Sequence, residues 1–487
     1  MRPTHALERH IALAGYMGAG KTTLGSYLAL ALGRNFLDVD AEIERDAGCS
    51  IAEIFAAQGE PEFRLLEERR IRAALDSSEP AVIALGGGAL GTEATREALH
   101  EHAFTILVEV DVAEAWRRVG AGSKRPLASD EASFRKLYAE RQPLYREYAD
   151  AVCSDFESAI LAAGGVEVAA GALARLGELA PGEGRIALVM DENVALIYDA
   201  AAEKSLAGRL ISAHELPAGE EAKSFASFQR LLEDLPLERR DLIVALGGGC
   251  TTDVAGFAAA TYMRGIDWLS APTSLVGQVD AGIGGKTAIN IESGKNLVGA
   301  FHWPARTVID PDLLATLPEQ ERREGMAEVV KHGVLIGERI WELPDVEMVR
   351  HSAVYKLRIV LRDPREQSVR ATLNLGHTFA HALETAGAFG RPTHGEAVAL
   401  GLVAALRLSV DRYGLDPLWL EAVEEVLAPQ PVPVDRDLAW AALFRDKKVS
   451  GGTPKFVLME APGKPVYGVE LGEAEAQRAL DSLIADS

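Results

Sequence analysis

The sequence predicts an α/β protein whose chain ends in a mainly helical unit. Three observations support this: short apolar runs alternate with helical segments, the alternation restarts after an interval rich in alanine and glycine, and strand-like runs are lost beyond about residue 312. Strands that alternate with helices are typical of parallel sheets covered by helices. A chain of 487 residues is also long enough for about two to four domains.

The first α/β pattern covers the N-terminal third of the chain. It begins with a buried strand predicted at residues 11–14, a glycine-rich turn and a helix from about Lys21 to Leu32. Further strand-like runs, with helical patterns between them, lie at Phe36–Val39, Ala81–Leu85 and Phe104–Val110. The pattern fades near residue 150, before a segment rich in Ala, Gly and Glu at residues 155–183. We therefore predict a first domain over residues 1–163.

The second pattern starts with a strand predicted at Ile186–Met190 and continues with strands at Leu242–Leu246 and Trp268–Ala271. We predict that this α/β domain covers residues 164–311. Beyond it the pattern is mainly helical to the end, which predicts an α-helical domain over residues 312–487. We expect the three domains to form two larger parts, the first domain alone and the second and third together.

Composition and charge limit the partners and the compartment of the chain. A formal charge of -22 argues against broad binding to nucleic acid or anionic membranes. The three cysteines, Cys49, Cys153 and Cys250, stand far apart, which indicates neither a disulfide framework nor a cysteine zinc site. The N-terminus has no signal-peptide pattern, and no apolar stretch reaches the roughly 18 residues of a membrane span. The sequence therefore predicts a cytoplasmic protein that acts on small molecules.

A phosphate loop follows the first predicted strand. Residues 15–22, Gly-Tyr-Met-Gly-Ala-Gly-Lys-Thr, fit G-x4-G-K-T and open a predicted helix. Backbone N–H groups can converge on phosphate oxygens there, Lys21 adds charge, and the Thr22 hydroxyl can bind Mg²⁺. The pattern predicts a nucleoside triphosphate with Mg²⁺, contacted by Gly15, Gly18, Ala19, Gly20, Lys21, Thr22 and Thr23. A plain glycine turn with a surface lysine is the alternative.

Polar residues after the loop suggest a site for a small acidic acceptor. Asp38 and Asp40 lie at the end of the second predicted strand, where one carboxylate can serve Mg²⁺ and the other can bind a hydroxyl. Arg64 is a planar donor suited to a carboxylate. The run Gly86-Gly87-Gly88 follows a strand, so bare backbone can approach a ligand there. Arg125 follows a Gly/Ser segment that could close as a lid, and Arg141 lies further on; each arginine taken singly could equally be a surface residue.

This ordered set resembles the shikimate kinase family across residues 10–155. The resemblance implies that the nucleotide is ATP, that Asp38 positions Mg²⁺, and that Arg125 belongs to a lid reaching the ATP phosphates. It implies that shikimate is held by Asp40, Arg64, Gly86, Gly87, Gly88 and Arg141, with Lys21, Asp40 and Arg125 as catalytic residues. Another small-molecule kinase of the same fold, such as a gluconate kinase, is the alternative, but it would not need this arginine set.

Glycine-rich segments indicate a nucleotide site in the second pattern. Asp191 and Asn193 follow a predicted strand, and Gly247-Gly248-Gly249 joins a strand to a helix. Such a turn into a helix N-terminus can hold a pyrophosphate, although the G-x-G-x-x-G fingerprint is absent and a plain tight turn is the alternative. Residues 280–290 then gather several glycines around Asp280 and Lys286.

The helical part holds candidates for a metal site. Glu328 and Lys331 are three residues apart, and His377 and His381 are four apart, so each pair shares a helix face. His394 starts the next predicted helix. One carboxylate with two or three imidazoles is typical of a catalytic zinc site with an open position. Spacing alone favours His377 and His381 as ligands; a hydrogen-bonded core histidine is the alternative for any one of them.

These motifs resemble the 3-dehydroquinate synthase family over about residues 165–480. The resemblance implies Zn²⁺, with Co²⁺ as an alternative, on Glu328, His377 and His394, and it assigns His381 to the substrate instead. It implies NAD⁺ near Asp191, Asn193, Glu220, Lys223, Gly248, Gly249, Asp253, Thr273, Ser274, Lys286, Lys295 and Thr316. It places around the substrate Asp280, Lys286, Lys295, Asn296, Lys331, Lys356, Arg370, Asn374, His381, Lys447 and Lys448, with Asp280, Lys286, Lys331 and His381 as catalytic residues. Arg264 would reach the substrate phosphate of a partner subunit, which implies a homodimer.

The implied reaction converts 3-deoxy-D-arabino-heptulosonate 7-phosphate to 3-dehydroquinate and phosphate. In it, NAD⁺ transiently oxidises a substrate hydroxyl and zinc polarises that oxygen. Another sugar-phosphate cyclase is the nearest alternative, and retention of Arg370, Asn374 and His381 argues against it. A polyol dehydrogenase would have no use for the phosphate-binding lysines. A scaffold with one inactive half is the alternative of another class, but Lys21 and Asp40 are both present.

Overall fold

The computed structural model describes residues 4–119, 130–387, 391–445 and 454–485. The chain divides into two compact units, Met1–Glu167 and Val168–Ser487. This boundary lies a few residues beyond the predicted limit at residue 163, and the further division of the second unit at residue 311 stays a prediction. No helix among the described residues combines the length and the apolar character needed to cross a membrane.

The first unit is built on a parallel sheet in the order β2-β3-β1-β4-β5. Its strands are β1 His10–Ala14, β2 Asn35–Asp38, β3 Ala81–Ala84, β4 Ala103–Val108 and β5 Ala151–Cys153. Its helices are α1 Lys21–Leu32, α2 Val39–Ala47, α3 Ile51–Leu75, α4 Glu93–His102, α5 Val112–Val119, α6 Glu131–Tyr148 and α7 Phe156–Gly164. The predicted helix from Lys21 to Leu32 is confirmed residue for residue. The buried strand β1 lies at the centre, so the loop that follows it opens at the carboxyl edge of the sheet.

The core of the first unit includes buried side chains from the sheet and from the helices that cover it. Ala12, Ile83 and Leu107 come from three neighbouring strands, and Phe134 and Tyr145 come from α6. The ring centroids of Tyr16 and Phe134 are 4.8 Å apart in an edge-to-face arrangement, a favourable geometry for aromatic pairs. The residue Tyr16, inside the phosphate loop, therefore anchors that loop to the core.

The second unit begins with a largely parallel sheet in the order β6-β13-β10-β9-β7-β8. The strands are β6 Val166–Val168, at the junction of the units, β7 Ile186–Asp191, β8 Leu210–Leu216, β9 Leu242–Gly247, β10 Asp267–Pro272 and β13 Arg306–Ile309. An antiparallel hairpin, β11 Lys286–Ile291 and β12 Gly294–Phe301, precedes β13. The helices of this part are α8 Leu176–Leu179, α9 Glu192–Leu206, α10 Phe225–Asp234 and α11 Gly249–Thr261. Leu188 packs into one apolar cluster and Val189 into another, so both faces of the sheet are covered.

Among the described residues, the rest of the second unit is mainly helical, as predicted, and it also contains a hairpin. Its helices are α12 Glu319–Ile336, α13 Asp345–Arg362, α14 His377–Ala386, α15 His394–Tyr413, α16 Pro417–Leu427, α17 Arg436–Arg445 and α18 Glu473–Asp481. The strands β14 Lys455–Ala461 and β15 Lys464–Glu470 form the hairpin. The prediction of a mainly helical part is therefore confirmed, and the hairpin is an element that the sequence analysis did not predict. The turn residues Pro462 and Gly463 join two runs whose apolar side chains pair across the strands.

Candidate active sites

The phosphate loop has the backbone geometry that its glycines predict. Gly15, Gly18 and Gly20 have φ angles of 145°, 82° and 89°, in the region that favours glycine. The Lys21 ammonium donates to the carbonyl oxygens of Gly15 (2.7 Å) and Tyr16 (3.1 Å). The Gly20 N-cap offers no side-chain acceptor to the first turn of α1, as is typical where a helix N-terminus binds an anion.

The two predicted Mg²⁺ residues meet at the start of the neighbouring helix. Thr22 Oγ1 donates to Asp38 Oδ2 at 2.6 Å. Asp38 ends β2 and caps α2, because its other oxygen accepts from the backbone N–H of Ala41 at 3.2 Å. A hydroxyl and a carboxylate are thus held side by side next to the phosphate loop. Hard oxygen donors of this kind suit Mg²⁺, so these residues fit the ion that the sequence predicts.

The predicted acceptor residues converge on the glycine loop after β3. An ideal Cβ on Gly88 would lie 2.2 Å from a terminal nitrogen of Arg64. A Cβ on Gly86 would lie 2.8 Å from Asp40 Oδ1. Arg141 donates to the carbonyl oxygen of Gly87 at 2.8 Å. The structure therefore brings Arg64, Asp40 and Arg141 together around bare backbone, although their positions in the sequence span 102 residues.

Glu67 belongs to this pocket and was given no role by the sequence analysis. It is 1% exposed, and its Oε2 accepts from Arg64 at 2.7 Å. Burial raises the pKa of Glu67, and the charge of Arg64 partly opposes that rise. Glu67 therefore holds the guanidinium over the loop. The spacing of three residues between Arg64 and Glu67 on one helix was the available signal.

Replacing Gly88 with alanine is expected to displace the Arg64 guanidinium, because the added methyl group would overlap it. We expect kcat/KM for shikimate, the acceptor that the family resemblance implies, to fall about 10- to 100-fold, since a misplaced binding group costs this much in positioning. Steady-state kinetics with varied shikimate would measure the loss. Gly91→Ala is the matched control, because a Cβ there meets nothing within 4 Å. Equal kinetics for Gly88→Ala and wild type would contradict this placement of Arg64.

The predicted pyrophosphate turn connects β9 to α11 in the second unit. Gly248 is the N-cap of α11 and offers no side chain. Thr273 N donates to the carbonyl oxygen of Gly247 at 2.9 Å, and Ser274 Oγ would lie 3.5 Å from a Cβ on Gly248. A Cβ on Gly249 would press against Ala281 at 3.1 Å. Two segments of the predicted NAD⁺ set therefore meet at one helix N-terminus, as anion binding requires.

A polar network beside this turn contains five more of the predicted residues. The ammonium of Lys223, which is buried, pairs with Asp253 Oδ2 at 2.5 Å and contacts the side-chain oxygen of Asn296. Burial lowers the pKa of Lys223, but the charge of Asp253 outweighs this and the pKa is raised. Glu220 accepts from Lys295 at 3.0 Å and from Asn290. These contacts fix the side chains relative to one another.

Two other members of the predicted NAD⁺ set make internal contacts. Asp191 caps α9 by accepting from the backbone of Asn193 and Val194, and its Oδ2 accepts from Thr251 at 3.0 Å. Thr316 Oγ1 lies 2.6 Å from the hydroxyl of Tyr198. Asp191 is therefore fixed between α9 and α11, and its role toward a nucleotide ribose stays a prediction.

Glu328, His377 and His394 form a candidate metal centre in the helical part. Each offers one ligand atom, and these atoms all lie within 4.8 Å of one another. The Nε2 atoms of His377 and His394 are 3.3 Å and 3.5 Å from Glu328 Oε1. Glu328 is buried, its Oε1 faces the two imidazole nitrogens, and its Oε2 pairs with Lys331. A buried carboxylate that faces two imidazole nitrogens fits a Zn²⁺ or Co²⁺ ion.

The charges around the cluster keep Glu328 ionised. Burial alone would raise the pKa of Glu328, but the charges of Lys331 and His377 lower it well below its usual value. Burial lowers the pKa of His394, while its contacts with Glu328 and Glu384 raise it to about 10. These contacts hold the His394 ring between the two carboxylates.

The spacing inference for His381 is corrected by this geometry. His381 lies one turn after His377, and their ring centroids are 5.7 Å apart. The group around Glu328 nevertheless contains His394 and not His381. His394 reaches Glu328 from the first residue of α15. The position of each ring relative to Glu328 therefore favours His394 over His381 as a candidate ligand, although helix spacing favoured His381.

Two buried lysines, Lys331 and Lys356, lie close to the candidate metal centre. Lys331 is an ion-pair partner of Glu328, and Lys356 pairs with Asp280 at 2.7 Å. Burial lowers the pKa of Lys356 to about 8 in spite of Asp280. Glu328 also lies in a second group with Asp280 and the buried His332, but the two lysines make a cation unfavourable there. These lysines instead suit an anionic substrate.

A second cluster of polar and charged residues joins Lys286 to the segment of residues 363–374. Glu366, which has a φ of 56°, pairs with Lys286 at 2.5 Å and accepts from Asn374 at 3.2 Å. Arg370 is buried and donates to the carbonyl oxygen of Pro364 at 2.7 Å. The sequence analysis predicted Lys286, Arg370 and Asn374 for the substrate and missed Glu366. The predicted residues Arg125, Lys447 and Lys448 lie outside the described part of the chain.

The geometry defines two classes of protein in one chain. The first unit is a phosphate-loop kinase with an acceptor pocket lined by arginine and carboxylate. The second is a nucleotide-binding α/β unit with a helical metal centre. Matches to known families agree with both: residues 17–167 match the family model described as shikimate kinase, and residues 213–324 and 325–449 match models of the 3-dehydroquinate synthase N- and C-terminal parts.

Known relatives match the second unit over almost their whole length. A 3-dehydroquinate synthase from Gloeobacter violaceus is 42% identical over 340 residues, which cover 64% of this chain and 94% of the relative. One from Salinibacter ruber is 42% identical over 323 residues, covering 61% of this chain and 87% of the relative. The chain belongs to the 3-dehydroquinate synthase family and carries a shikimate kinase domain ahead of that part.

Among solved structures, the second unit is similar to a 2-epi-5-epi-valiolone synthase from Streptomyces hygroscopicus subsp. jinggangensis with NAD⁺ and Zn²⁺ bound. The TM-score is 0.60 and the identity 27%, over 65% of this chain and 96% of that one. A 2-deoxy-scyllo-inosose synthase shares the fold at 24% identity and a TM-score of 0.58, over 66% of this chain and 96% of that one. The predicted fold class is therefore confirmed for this unit.

Proposed function

We propose that this chain catalyses two steps of the shikimate pathway at separate sites. The first unit phosphorylates shikimate with ATP to give shikimate 3-phosphate. The second converts 3-deoxy-D-arabino-heptulosonate 7-phosphate to 3-dehydroquinate and phosphate, with NAD⁺ and Zn²⁺. The observation that carries the second assignment is the cluster of Glu328, His377 and His394 beside buried lysines. The first rests on the convergence of Arg64, Arg141 and Asp40 on the glycine loop.

In the kinase unit, the side chains act mainly by binding and orienting the two substrates. The Lys21 ammonium exchanges its loop carbonyls for phosphate oxygens and stabilises charge on the transferring group. Arg64 and Arg141 bind the shikimate carboxylate through paired N–H donors. Asp40 accepts the proton of the attacking hydroxyl. Thr22 and Asp38 would hold Mg²⁺, which would supply neutralising charge to the phosphates.

In the synthase unit, the chain provides ligands and a positively charged pocket. Glu328, His377 and His394 would hold the metal, which supplies Lewis-acid polarisation of a substrate oxygen when it is bound. The buried Lys331 and Lys356, with Arg370, neutralise the phosphate and carboxylate of the substrate. Asp280 accepts a hydroxyl proton or hydrogen bond in the same pocket. Holding one substrate conformer limits side reactions.

A different sugar-phosphate cyclase is the second candidate for the synthase unit, because its fold is shared with a valiolone synthase. The identity is higher to the 3-dehydroquinate synthases, at 42% against 27%. A phosphate-release assay with 3-deoxy-D-arabino-heptulosonate 7-phosphate, NAD⁺ and Zn²⁺, with the product identified by mass, tests the proposal. Formation of 3-dehydroquinate would support it. No turnover of that compound, together with turnover of a sugar phosphate lacking the carboxylate, would favour the second candidate.

We further propose that the synthase unit acts as a homodimer through the hairpin of β11 and β12. The strand β12 exposes apolar side chains, with Phe301 60% exposed and Leu297 41%. Met263 is also 43% exposed, and Met263 and Arg264 have positive φ angles. An open strand edge with apolar residues favours pairing with a second copy. Arg264 would then serve the substrate phosphate of its neighbour.

Mixing two inactive variants tests the placement of Arg264. Arg264→Ala and His377→Ala should each lack synthase turnover as homodimers. After exchange of subunits, each mixed dimer should contain one complete site, which restores up to roughly a quarter of wild-type activity. Phosphate release before and after mixing measures the recovery. Mixing either variant with itself is the control, and a lack of recovery despite proven subunit exchange would place Arg264 in its own site.

We propose the cytoplasm as the compartment of this protein. Cys49, Cys153 and Cys250 are all free thiols, and free thiols are typical of reducing compartments. Burial raises the pKa of Cys153 and of Cys250 to about 12, which makes both thiols unreactive. Cell fractionation with detection of the chain tests this. Recovery in a periplasmic or membrane fraction would contradict the proposal.

A further inference from the structure

The two histidines of the metal cluster are held in the same way. In each ring, Nε2 faces Glu328 Oε1, at 3.3 Å for His377 and 3.5 Å for His394. In each ring, Nδ1 faces an acceptor on the opposite side. For His377 this acceptor is the carbonyl oxygen of Leu375 at 3.2 Å, and for His394 it is Glu384 Oε1 at 3.3 Å. Both rings are therefore aimed at one point by a second contact.

This second contact decides which nitrogen can bind a metal. A neutral imidazole carries its proton on one nitrogen and a lone pair on the other. An acceptor beside Nδ1 keeps the proton there and leaves the lone pair on Nε2, toward Glu328. The acceptor of His377 is main chain and is independent of the side chain at residue 375. The acceptor of His394 is a side chain, so this contact depends on Glu384.

The position of Glu384 is unfavourable for stability alone. Glu384 lies in the last turn of α14, where the helix dipole disfavours a negative charge. It is 8% exposed, and burial of a carboxylate costs free energy unless a partner compensates. The hydrogen bond from His394 supplies that partner. A carboxylate kept in such a place is better explained by its effect on His394 than by any contribution to the helix.

We propose that Glu384 is a positioning residue that orients His394 for the metal and increases the electron density on its Nε2. The inference rests on the proposed metal site of Glu328, His377 and His394. It assigns to Glu384 no contact with substrate, nucleotide or metal. Loss of such an outer carboxylate typically weakens metal binding about 10- to 100-fold.

The test measures metal binding by the full chain. Glu384→Ala, Glu384→Gln, His394→Ala and wild type are stripped of metal and titrated with Zn²⁺ against a chromophoric chelator. Glu384→Ala should still bind one ion, with Kd raised about 10- to 100-fold. Glu384→Gln should lose less, because its amide oxygen can accept the same hydrogen bond. Glu396→Gln is the matched control, since Glu396 lies two residues from His394 on α15 and caps the backbone of Thr393 instead.

The visible absorption of the Co²⁺-loaded protein gives a second readout. A changed orientation of His394 should shift the bands of Glu384→Ala and leave those of Glu396→Gln in place. Wild-type affinity and spectrum in both Glu384 variants, with binding lost in His394→Ala, would overturn the role of Glu384 and keep the metal site. Unchanged binding in His394→Ala would instead remove the proposed metal site and this inference with it. If Glu384→Ala does not fold, the graded effect in Glu384→Gln decides.

Discussion

Replacing His377 with alanine is expected to lower the synthase turnover number about 10³-fold or more, which corresponds to about 4 kcal/mol of transition-state stabilisation. The physical reason is the loss of one of the three proposed metal ligands, which are Glu328, His377 and His394. Shikimate phosphorylation should stay at the wild-type rate, because the kinase residues lie in a different unit. Phosphate release and a coupled ADP assay on the same preparation measure both effects.

The control for this substitution removes a histidine from the same unit outside the metal cluster. His351 lies on α13, and His351→Ala should retain both activities. Metal content should fall in His377→Ala and stay constant in His351→Ala. Synthase turnover that survives in a metal-free His377→Ala protein would show that the cluster is not the reaction centre.

Replacing Lys21 with methionine is expected to lower shikimate phosphorylation about 10²- to 10³-fold, the loss typical when one charged or hydrogen-bonding stabiliser of the transition state is removed. Methionine keeps much of the length of the side chain and removes the ammonium that now contacts the carbonyls of Gly15 and Tyr16. The decrease should be mainly in kcat. Synthase turnover should not change, which is the opposite of the His377→Ala result.

Lys136→Met provides the matched control for the kinase unit. Lys136 is exposed on α6, where its contact with Glu140 at 3.9 Å is a surface ion pair, a kind worth little. This variant should phosphorylate shikimate normally. A wild-type kcat in Lys21→Met would mean that the loop binds phosphate without the ammonium, and it would contradict the proposed role of Lys21.

The phosphate loop was predictable because its signals are local. The apolar run before Gly15, the glycines and the helix after Lys21 lie within about two dozen residues, and each fixes its own backbone state. The same holds for the strand and helix around Gly248. In such segments the sequence determines structure through short-range sterics and hydrogen bonding, so long-range information is not required.

The partners of the site residues were harder to predict because they depend on packing. Glu366 meets Lys286 across 80 residues of chain, and nothing near either residue indicates the contact. Glu384 and His394 are close in sequence but belong to different helices. His381 has the better spacing to His377, yet His394 completes the group because α15 starts beside Glu328. Helix periodicity describes one helix at a time, whereas a ligand set depends on where several helices meet.

The hairpin of β14 and β15 was missed although it had a local signal. Phe456, Leu458 and Val466 lie in β-prone runs that flank Pro462 and Gly463, a pair typical of a turn. The surrounding helical pattern outweighed these few residues in the sequence analysis. The hairpin forms because its two strands hydrogen-bond to each other and bury Val457, Leu458 and Met459. Helix periodicity in the sequence does not reveal this gain in stability.

The separate apolar cores of the two units have a consequence for heating experiments. One core contains Phe134 and Tyr145, and the others, around Leu188 and Val189, belong to the second unit. Units with their own cores melt as separate cooperative transitions. In scanning calorimetry, ATP with shikimate should raise the temperature of one transition, and NAD⁺ with Zn²⁺ that of the other. The transition that a ligand shifts therefore identifies the unit that binds this ligand.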